Sequence, residues 1–161
     1  MTSDSDSRPG TVRPVVALAF ATTGFVALLI FGLGMTSLLL DEDVISVGGL
    51  TQVPGITGTI AATGAFALTL WIALWRRHPS FSGAAVTMIA TALAYPAGVW
   101  FGALLGNAEL GTATRAAGGV FFSWFEVVIA VAAFVCAWAG IALTRTRASR
   151  PRWPWEDPFD E

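Results

Sequence analysis

The sequence predicts an all-α membrane protein built as a bundle of four transmembrane helices. Of its 161 residues, 55% are hydrophobic and only 12% are charged. A soluble domain usually carries roughly a quarter charged residues. The apolar residues fall into four long runs, each long enough as a helix to cross a bilayer core of about 30 Å. The composition and the four runs together predict a multi-pass protein of the cell membrane.

The four predicted helices are bounded by charged or turn-forming residues. The first run is too long and too continuous for a signal peptide, and Asp41-Glu42-Asp43 ends it. The second helix opens at Pro54, a residue suited to a first turn. Pro96 lies inside the third helix and should bend it. The predicted helices cover about 14–40, 54–75, 81–105 and 117–144.

The distribution of arginine predicts the orientation of the bundle. Two arginines lie in the N-terminal tail, two in the turn between the second and third helices, and four in the C-terminal tail. The opposite side has only Arg115, together with four acidic residues. Basic residues accumulate on the cytoplasmic side of membrane proteins. Both termini are therefore expected to be cytoplasmic, which agrees with an even number of helices.

The two ends of the chain are expected to lie outside the bundle. Residues 1–11 are polar and are expected to be disordered. Residues 145–161 combine arginine, tryptophan, proline and acid, which favours binding to anionic lipid headgroups at the membrane interface. The alternative is a docking peptide for another protein. The residues expected to contact lipid or a partner are Arg145, Arg147, Arg150, Arg152, Trp153 and Trp155.

Small residues at helical spacing predict close contacts between helices. The third helix carries three glycines at four-residue spacing, which is the small-xxx-small pattern of closely packed membrane helices. The fourth helix carries a stripe of small residues, with bulky residues on its other side. The predicted helix-packing residues are Gly98, Gly102, Gly106, Ala130, Ala133, Ala137 and Gly140.

Glu126 is the only ionisable residue well inside an apolar run. Three interpretations compete. In the first, the carboxyl pairs with Arg115, with a hydroxyl such as Ser123 or Tyr95, or with a partner subunit. In the second, it is protonated, because burial disfavours the charged form. In the third, it is a proton or cation site of a transporter. The sequence favours the first, since one acid without a second polar group is a poor relay. The predicted intramembrane polar residues are Glu126, Ser123 and Thr91.

Missing motifs exclude several classes of function. The sequence contains no phosphate-binding loop, no dinucleotide fingerprint and no HExxH zinc motif. Its one histidine and one cysteine cannot supply a haem or iron–sulfur ligand set. The net charge of −2 gives no basic field for nucleic acid. We therefore expect no catalytic residues, no metal, no cofactor and no enzymatic activity.

The C-terminal segment Arg-Pro-Arg-Trp-Pro-Trp-Glu, the four-helix architecture and the use of arginine without lysine support one resemblance. The chain resembles the small four-helix integral membrane proteins of high-GC actinobacteria. The resemblance covers the whole chain loosely and is sharpest over residues 145–156. It implies a fold but no activity, because the function of these proteins is unassigned.

Two functions are compatible with these features. The first is an accessory or organising subunit that packs against a larger membrane complex or against itself, which explains the small-residue faces and the aromatic tail. The second is a small transporter or channel with Glu126 in a polar path. The sequence favours the accessory subunit, because no matching acid or internal repeat supports transport.

Overall fold

The computed structural model describes residues 13–45, 52–75 and 81–145, which form five α-helices. No β-strand occurs among these residues, so the all-α prediction is confirmed for the described part of the chain. The helices are α1 (Pro14–Leu40), α2 (Val53–Leu74), α3 (Ser82–Leu105), α4 (Leu110–Phe121) and α5 (Trp124–Arg145).

Four of the five helices are long and apolar enough to span a membrane. They are α1, α2, α3 and α5, and the shortest of them have 22 residues. At about 1.5 Å per residue, such a helix extends about 33 Å, slightly more than the hydrocarbon core of a bilayer. The prediction of four helices of membrane-spanning length is therefore confirmed. The predicted tail over residues 1–11 lies outside the described residues.

The prediction of a single fourth helix over 117–144 is wrong. The chain forms two helices, α4 and α5, which are separated at Phe122 and Ser123. The backbone N–H of Ser123 donates to the carbonyl of Val120 over 3.1 Å, and its hydroxyl donates to the same carbonyl over 2.6 Å. This carbonyl would otherwise accept the next bond of a continuous helix. Two consecutive glycines just before the break weaken the helix further.

The segment predicted as a loop before the fourth helix is helical from Leu110 onward. Asn107 adopts a left-handed conformation with φ 62°, which turns the chain after α3. Arg115 lies on the exposed side of α4 and donates to the hydroxyl of Thr112 over 3.2 Å. Because α4 has only 12 residues, its apolar pattern is too short to distinguish from a loop by sequence.

The four long helices are arranged in the cyclic order α1, α2, α3 and α5. Each runs antiparallel to its neighbours, so α1 and α3 stand at opposite corners. The most extensive contact joins α2 to α3, and the next joins α1 to α5. The short helix α4 packs mainly on α3.

Two glycines of α3 allow its backbone to approach that of α2. A Cβ at Gly98 would lie 2.7 Å from the carbonyl oxygen of Thr57 and 2.8 Å from the Cα of Gly58. A Cβ at Gly102 would lie 2.8 Å from the Cα of Pro54. The close approach brings the Thr57 hydroxyl within 2.8 Å of the Gly98 carbonyl, to which it donates a hydrogen bond. A larger side chain at either glycine would force the two helices apart.

Small residues also line the contact between α1 and α5. A Cβ at Gly140 would lie 3.0 Å from the Cβ of Ala21, and one at Gly24 would lie 3.7 Å from the sulfur of Cys136. In the middle of the bundle, the rings of Phe25 and Phe66 stack with centroids 4.4 Å apart. These contacts fix α5 between α1 and α3, with one face turned toward the interior.

The predicted helix-packing residues differ in how deeply the structure buries them. Gly106 is exposed and caps the C-terminal end of α3, where no helix covers it. Ala130 is half-buried at the edge of the packed face of α5. The remaining ones are buried, namely Gly98, Gly102, Ala133, Ala137 and Gly140.

We predict that Gly98→Ala destabilises the protein by about 1–3 kcal/mol, because the added methyl group overlaps the α2 backbone. Gly64→Ala is the matched control, since a Cβ there meets nothing within 4 Å. Alanine is about 1 kcal/mol more favourable than glycine inside a helix, so the control should be at least as stable as the wild type. Unfolding by SDS from a mild detergent measures both. Equal stability of the two variants would contradict the close α2–α3 contact.

Candidate functional site at Glu126

Glu126 lies in the first turn of α5, directly after the break between α4 and α5. Residue Gly32 of α1 faces Val128 of α5 across the antiparallel contact. Because α1 ends at Leu40, this register places Glu126 about 10 Å below that end of α1 at about 1.5 Å per residue. We call this end of the bundle, where α1 is followed by Asp41, the Asp41 end.

The carboxyl group of Glu126 is enclosed by the bundle. The residue is 8% exposed, and both of its carboxyl oxygens are buried. Neither oxygen accepts a hydrogen bond from any residue in the described part of the chain. The same side of α5 continues with Ile129 and Ala133, which belong to the apolar core. A carboxyl group without partners in apolar surroundings is costly, and groups of this kind are found mainly where function requires them.

Two of the partners considered for Glu126 bond elsewhere. Arg115 is exposed on α4 and donates to the Gly111 carbonyl and to the Thr112 hydroxyl. The Ser123 hydroxyl donates to the Val120 carbonyl. The hydrogen bond or ion pair that the sequence favours is therefore not formed with either residue.

Tyr95 of α3 is the polar side chain that the structure brings toward Glu126. It is 2% exposed and lies near the Glu126 carboxyl without a hydrogen bond to it. Thr91, one turn earlier on α3, is fully buried and donates its hydroxyl to the Thr87 carbonyl over 2.7 Å. Its donor is thus used within its own helix. The predicted polar set of Glu126, Ser123 and Thr91 does not form one hydrogen-bonded cluster.

A polar cavity of about 170 Å³ lies beside the helix break. Glu42 and Asp43 form one wall of the cavity, and Ser123 and Phe125 are in the opposite wall. Its volume is sufficient for several water molecules. The lining of the cavity includes Phe125, the residue before Glu126, but not Glu126 itself.

Sequence reasoning missed two polar residues of the interior. Thr57 connects α2 to α3 through its bond to the Gly98 carbonyl, and the Thr22 hydroxyl of α1 is buried with no partner among the described residues. Both threonines lie in helices that contain several alanines and threonines. The sequence alone therefore does not show which threonine faces another helix. Only the pairing of α2 with α3 distinguishes Thr57.

The predicted lipid or partner contacts lie at the other end of the bundle. Arg145 is the last residue of α5, and its guanidinium carbon lies 4.7 Å from the centroid of the Phe81 ring, a cation–π contact. The other residues predicted there lie outside the described residues, namely Arg147, Arg150, Arg152, Trp153 and Trp155. Groups of three or more His, Cys, Asp or Glu residues that could hold a metal do not occur in the described ranges.

The fold and the site define an all-helical protein with four helices long and apolar enough to span a membrane and, among the described residues, one acid buried inside the bundle. The chain belongs to the family of unknown function DUF6121, whose sequence profile matches residues 8–161. The resemblance to a family without an assigned function is thereby confirmed, whereas the actinobacterial origin stays a prediction. No match was found among curated proteins or among solved structures.

We predict that Glu126→Met leaves the free energy of unfolding unchanged or raises it by up to about 2 kcal/mol. The reason is that methionine removes an unpartnered buried carboxyl and keeps a similar volume. Thermal unfolding in detergent measures the change. Glu109→Met is the control, because Glu109 is exposed and surface substitutions usually change stability by less than about 0.5 kcal/mol. A marked loss of stability in Glu126→Met alone would show that the carboxyl has a structural partner.

Proposed function

We propose that this protein is a small integral membrane transporter or channel that moves protons, with Glu126 as its proton-binding group. The observation that carries the proposal is the burial of both Glu126 carboxyl oxygens without a hydrogen-bond partner in the described part of the chain. An ionisable residue at membrane depth is by default a functional candidate, because it is expensive to keep there. This choice reverses the order that the sequence favours.

The chemistry of the site favours a proton over a metal cation. A proton needs only one carboxylate, whereas cations such as Ca²⁺ need six or more oxygen ligands in one place. Tyr95 offers one phenol on the Glu126 side of the bundle, and Ile129 and Ala133 on the same side of α5 are apolar. The position of Glu126 in the first turn of α5 also supports reversible ionisation, since the positive end of the helix dipole stabilises a carboxylate.

The break between α4 and α5 supports a transport role as well. Helices interrupted beside an ion-binding residue are typical of transporters, and here the interruption lies near the Asp41 end of the bundle, about one turn from Glu126. Non-helical backbone is tolerated where it lines a cavity. Here the break is at Phe122 and Ser123, and both residues line the polar cavity. We propose that protons reach Glu126 from the Asp41 end by way of this cavity, whose lining extends as far as Phe125, the preceding residue.

We predict that the purified protein in liposomes dissipates an imposed pH gradient and that Glu126→Gln abolishes this activity. Glutamine keeps the shape of the side chain but cannot exchange a proton at neutral pH. The measurement is the fluorescence of a pH-sensitive dye trapped inside the liposomes. Glu109→Gln is the matched control and should behave as the wild type, because Glu109 is exposed near the start of α4. Flux from Glu126→Gln equal to that of the wild type would contradict the proposal, as would a wild type no faster than empty liposomes.

The second candidate function is the accessory or organising subunit that the sequence favours. It is supported by a group of exposed rings around the helix break, in which Phe122 is 88% and Trp124 is 70% exposed. Such rings fit an aromatic belt or the surface of another membrane protein. The small-residue stripes no longer favour this candidate over transport, because Gly98, Gly102 and Gly140 contact helices of the same chain.

The accessory role predicts a stoichiometric partner. Purification from the source membrane in mild detergent, followed by crosslinking and mass spectrometry, should then recover a larger membrane protein linked near Phe122 or Trp124. Recovery of the chain alone would contradict the accessory role and leave proton movement as the proposed function.

The orientation and the tail complete the proposal. We propose that both termini lie in the cytoplasm and that the arginines of the C-terminal tail bind anionic lipid headgroups. The support is the excess of arginine at the chain ends and the position of Arg145 at the end of α5 opposite to Asp41. Labelling of Asn107→Cys by a membrane-impermeant maleimide in intact cells tests this orientation.

We also propose that the protein has no catalytic activity, no cofactor and no nucleic-acid partner.

A further inference from the structure

A surface groove runs between α1 and α5 on the outside of the bundle. It has a volume of about 300 Å³, and apolar side chains form all of its lining. The lining residues are Leu28, Phe31 and Gly32 of α1, with Val127, Val131 and Val135 among those of α5. Gly32 keeps the two helices close, because a Cβ there would lie 2.6 Å from a methyl carbon of Val128.

A second pocket continues the groove toward the Asp41 end. It has a volume of about 430 Å³, and Val127 belongs to the lining of both spaces. Its other walls include Leu40 at the end of α1, Glu42, Ser123 and Trp124, so its lining mixes polar and apolar groups. The apolar groove thus leads into a partly polar pocket at the level where α1 ends.

The dimensions of this pair of spaces match one lipid. From Val127 to Val135, the groove follows α5 for about 12 Å at about 1.5 Å per residue. One leaflet of a bilayer contributes about half of the hydrocarbon core of about 30 Å. An acyl chain in the groove would therefore place its headgroup in the pocket, beside the interfacial ring of Trp124.

The charges in the pocket select the kind of headgroup. Glu42 is the one charged residue in its lining, which contains no basic residue. A carboxylate and an exposed indole ring together bind an ammonium group, through charge and through the face of the ring. An anionic headgroup without an amine would bring no cation to Glu42.

We propose that the groove between α1 and α5 and the adjoining pocket bind one phospholipid with an ammonium headgroup, with an acyl chain against Val131 and the ammonium at Glu42 and Trp124. This lipid site does not include Glu126, although its pocket shares Glu42, Ser123 and Phe125 with the polar cavity beside the helix break. It also differs from the arginine-rich tail, whose arginines favour anionic headgroups and which follows the opposite end of α5.

Native mass spectrometry of the full chain tests the lipid site. The protein is purified from liposomes that contain equal amounts of phosphatidylethanolamine and phosphatidylglycerol, and the retained lipid is identified. The wild type should retain one phosphatidylethanolamine. Val131→Trp, which fills the groove, should lose it. Val86→Trp is the matched control, because Val86 is similarly exposed on α3 and lies outside the groove, and it should retain the lipid.

Glu42→Gln tests the headgroup without changing the groove. It should lose the preference for phosphatidylethanolamine over phosphatidylglycerol while the apolar groove is intact. The proposal is overturned if Val131→Trp retains phosphatidylethanolamine as the wild type does. It is also overturned if the wild type shows no preference between the two lipids, or if a dimer without lipid replaces the lipid-bound monomer.

Discussion

The close contact between α2 and α3 determines the arrangement of the rest of the bundle. Without side chains at Gly98 and Gly102, the two backbones approach until the Thr57 hydroxyl reaches the Gly98 carbonyl. In a bilayer, where apolar surface gains little by leaving lipid, such packing and interhelical hydrogen bonds are the main source of helix association. The contact also fixes α3 so that Tyr95 faces the interior, where α5 brings Glu126.

Two opposing influences act on the charge state of the Glu126 carboxyl. The break at Ser123 begins α5 below the Asp41 end of the bundle, so the first turn of α5 is already among the other helices. Burial makes the charged carboxylate unfavourable, while the start of a helix makes it more favourable. In the proposed mechanism, the proton enters from the cavity at Glu42 and Asp43, because Ile129 on the same side of α5 belongs to the apolar core.

The sequence was sufficient to predict the long apolar helices, but it was insufficient to predict which residues contact each other. Long apolar runs predict membrane-spanning helices directly, because a helix satisfies all of its backbone groups within one segment and needs about 20 consecutive apolar residues to cross the bilayer. The burial of Glu126 among small residues was also visible as a stripe. The division of the last helix was not, because the Ser123 hydroxyl competes for one carbonyl of a segment that is otherwise apolar. Similarly, the spacing of Arg115 and Ser123 made both reasonable partners for Glu126. The structure shows instead that each donates its hydrogen bonds to residues three or four positions earlier in the chain.

The measurement that tests the central claim most directly is infrared difference spectroscopy of the protein in lipid as the pH is changed. A protonated carboxyl has its own C=O stretching band, which disappears when the proton leaves. We predict one band from a buried carboxyl that is present at low pH, is lost at higher pH and is absent from Glu126→Gln. A spectrum in which no pH-dependent carboxyl band depends on Glu126 would contradict the assignment of this residue as the proton-binding group.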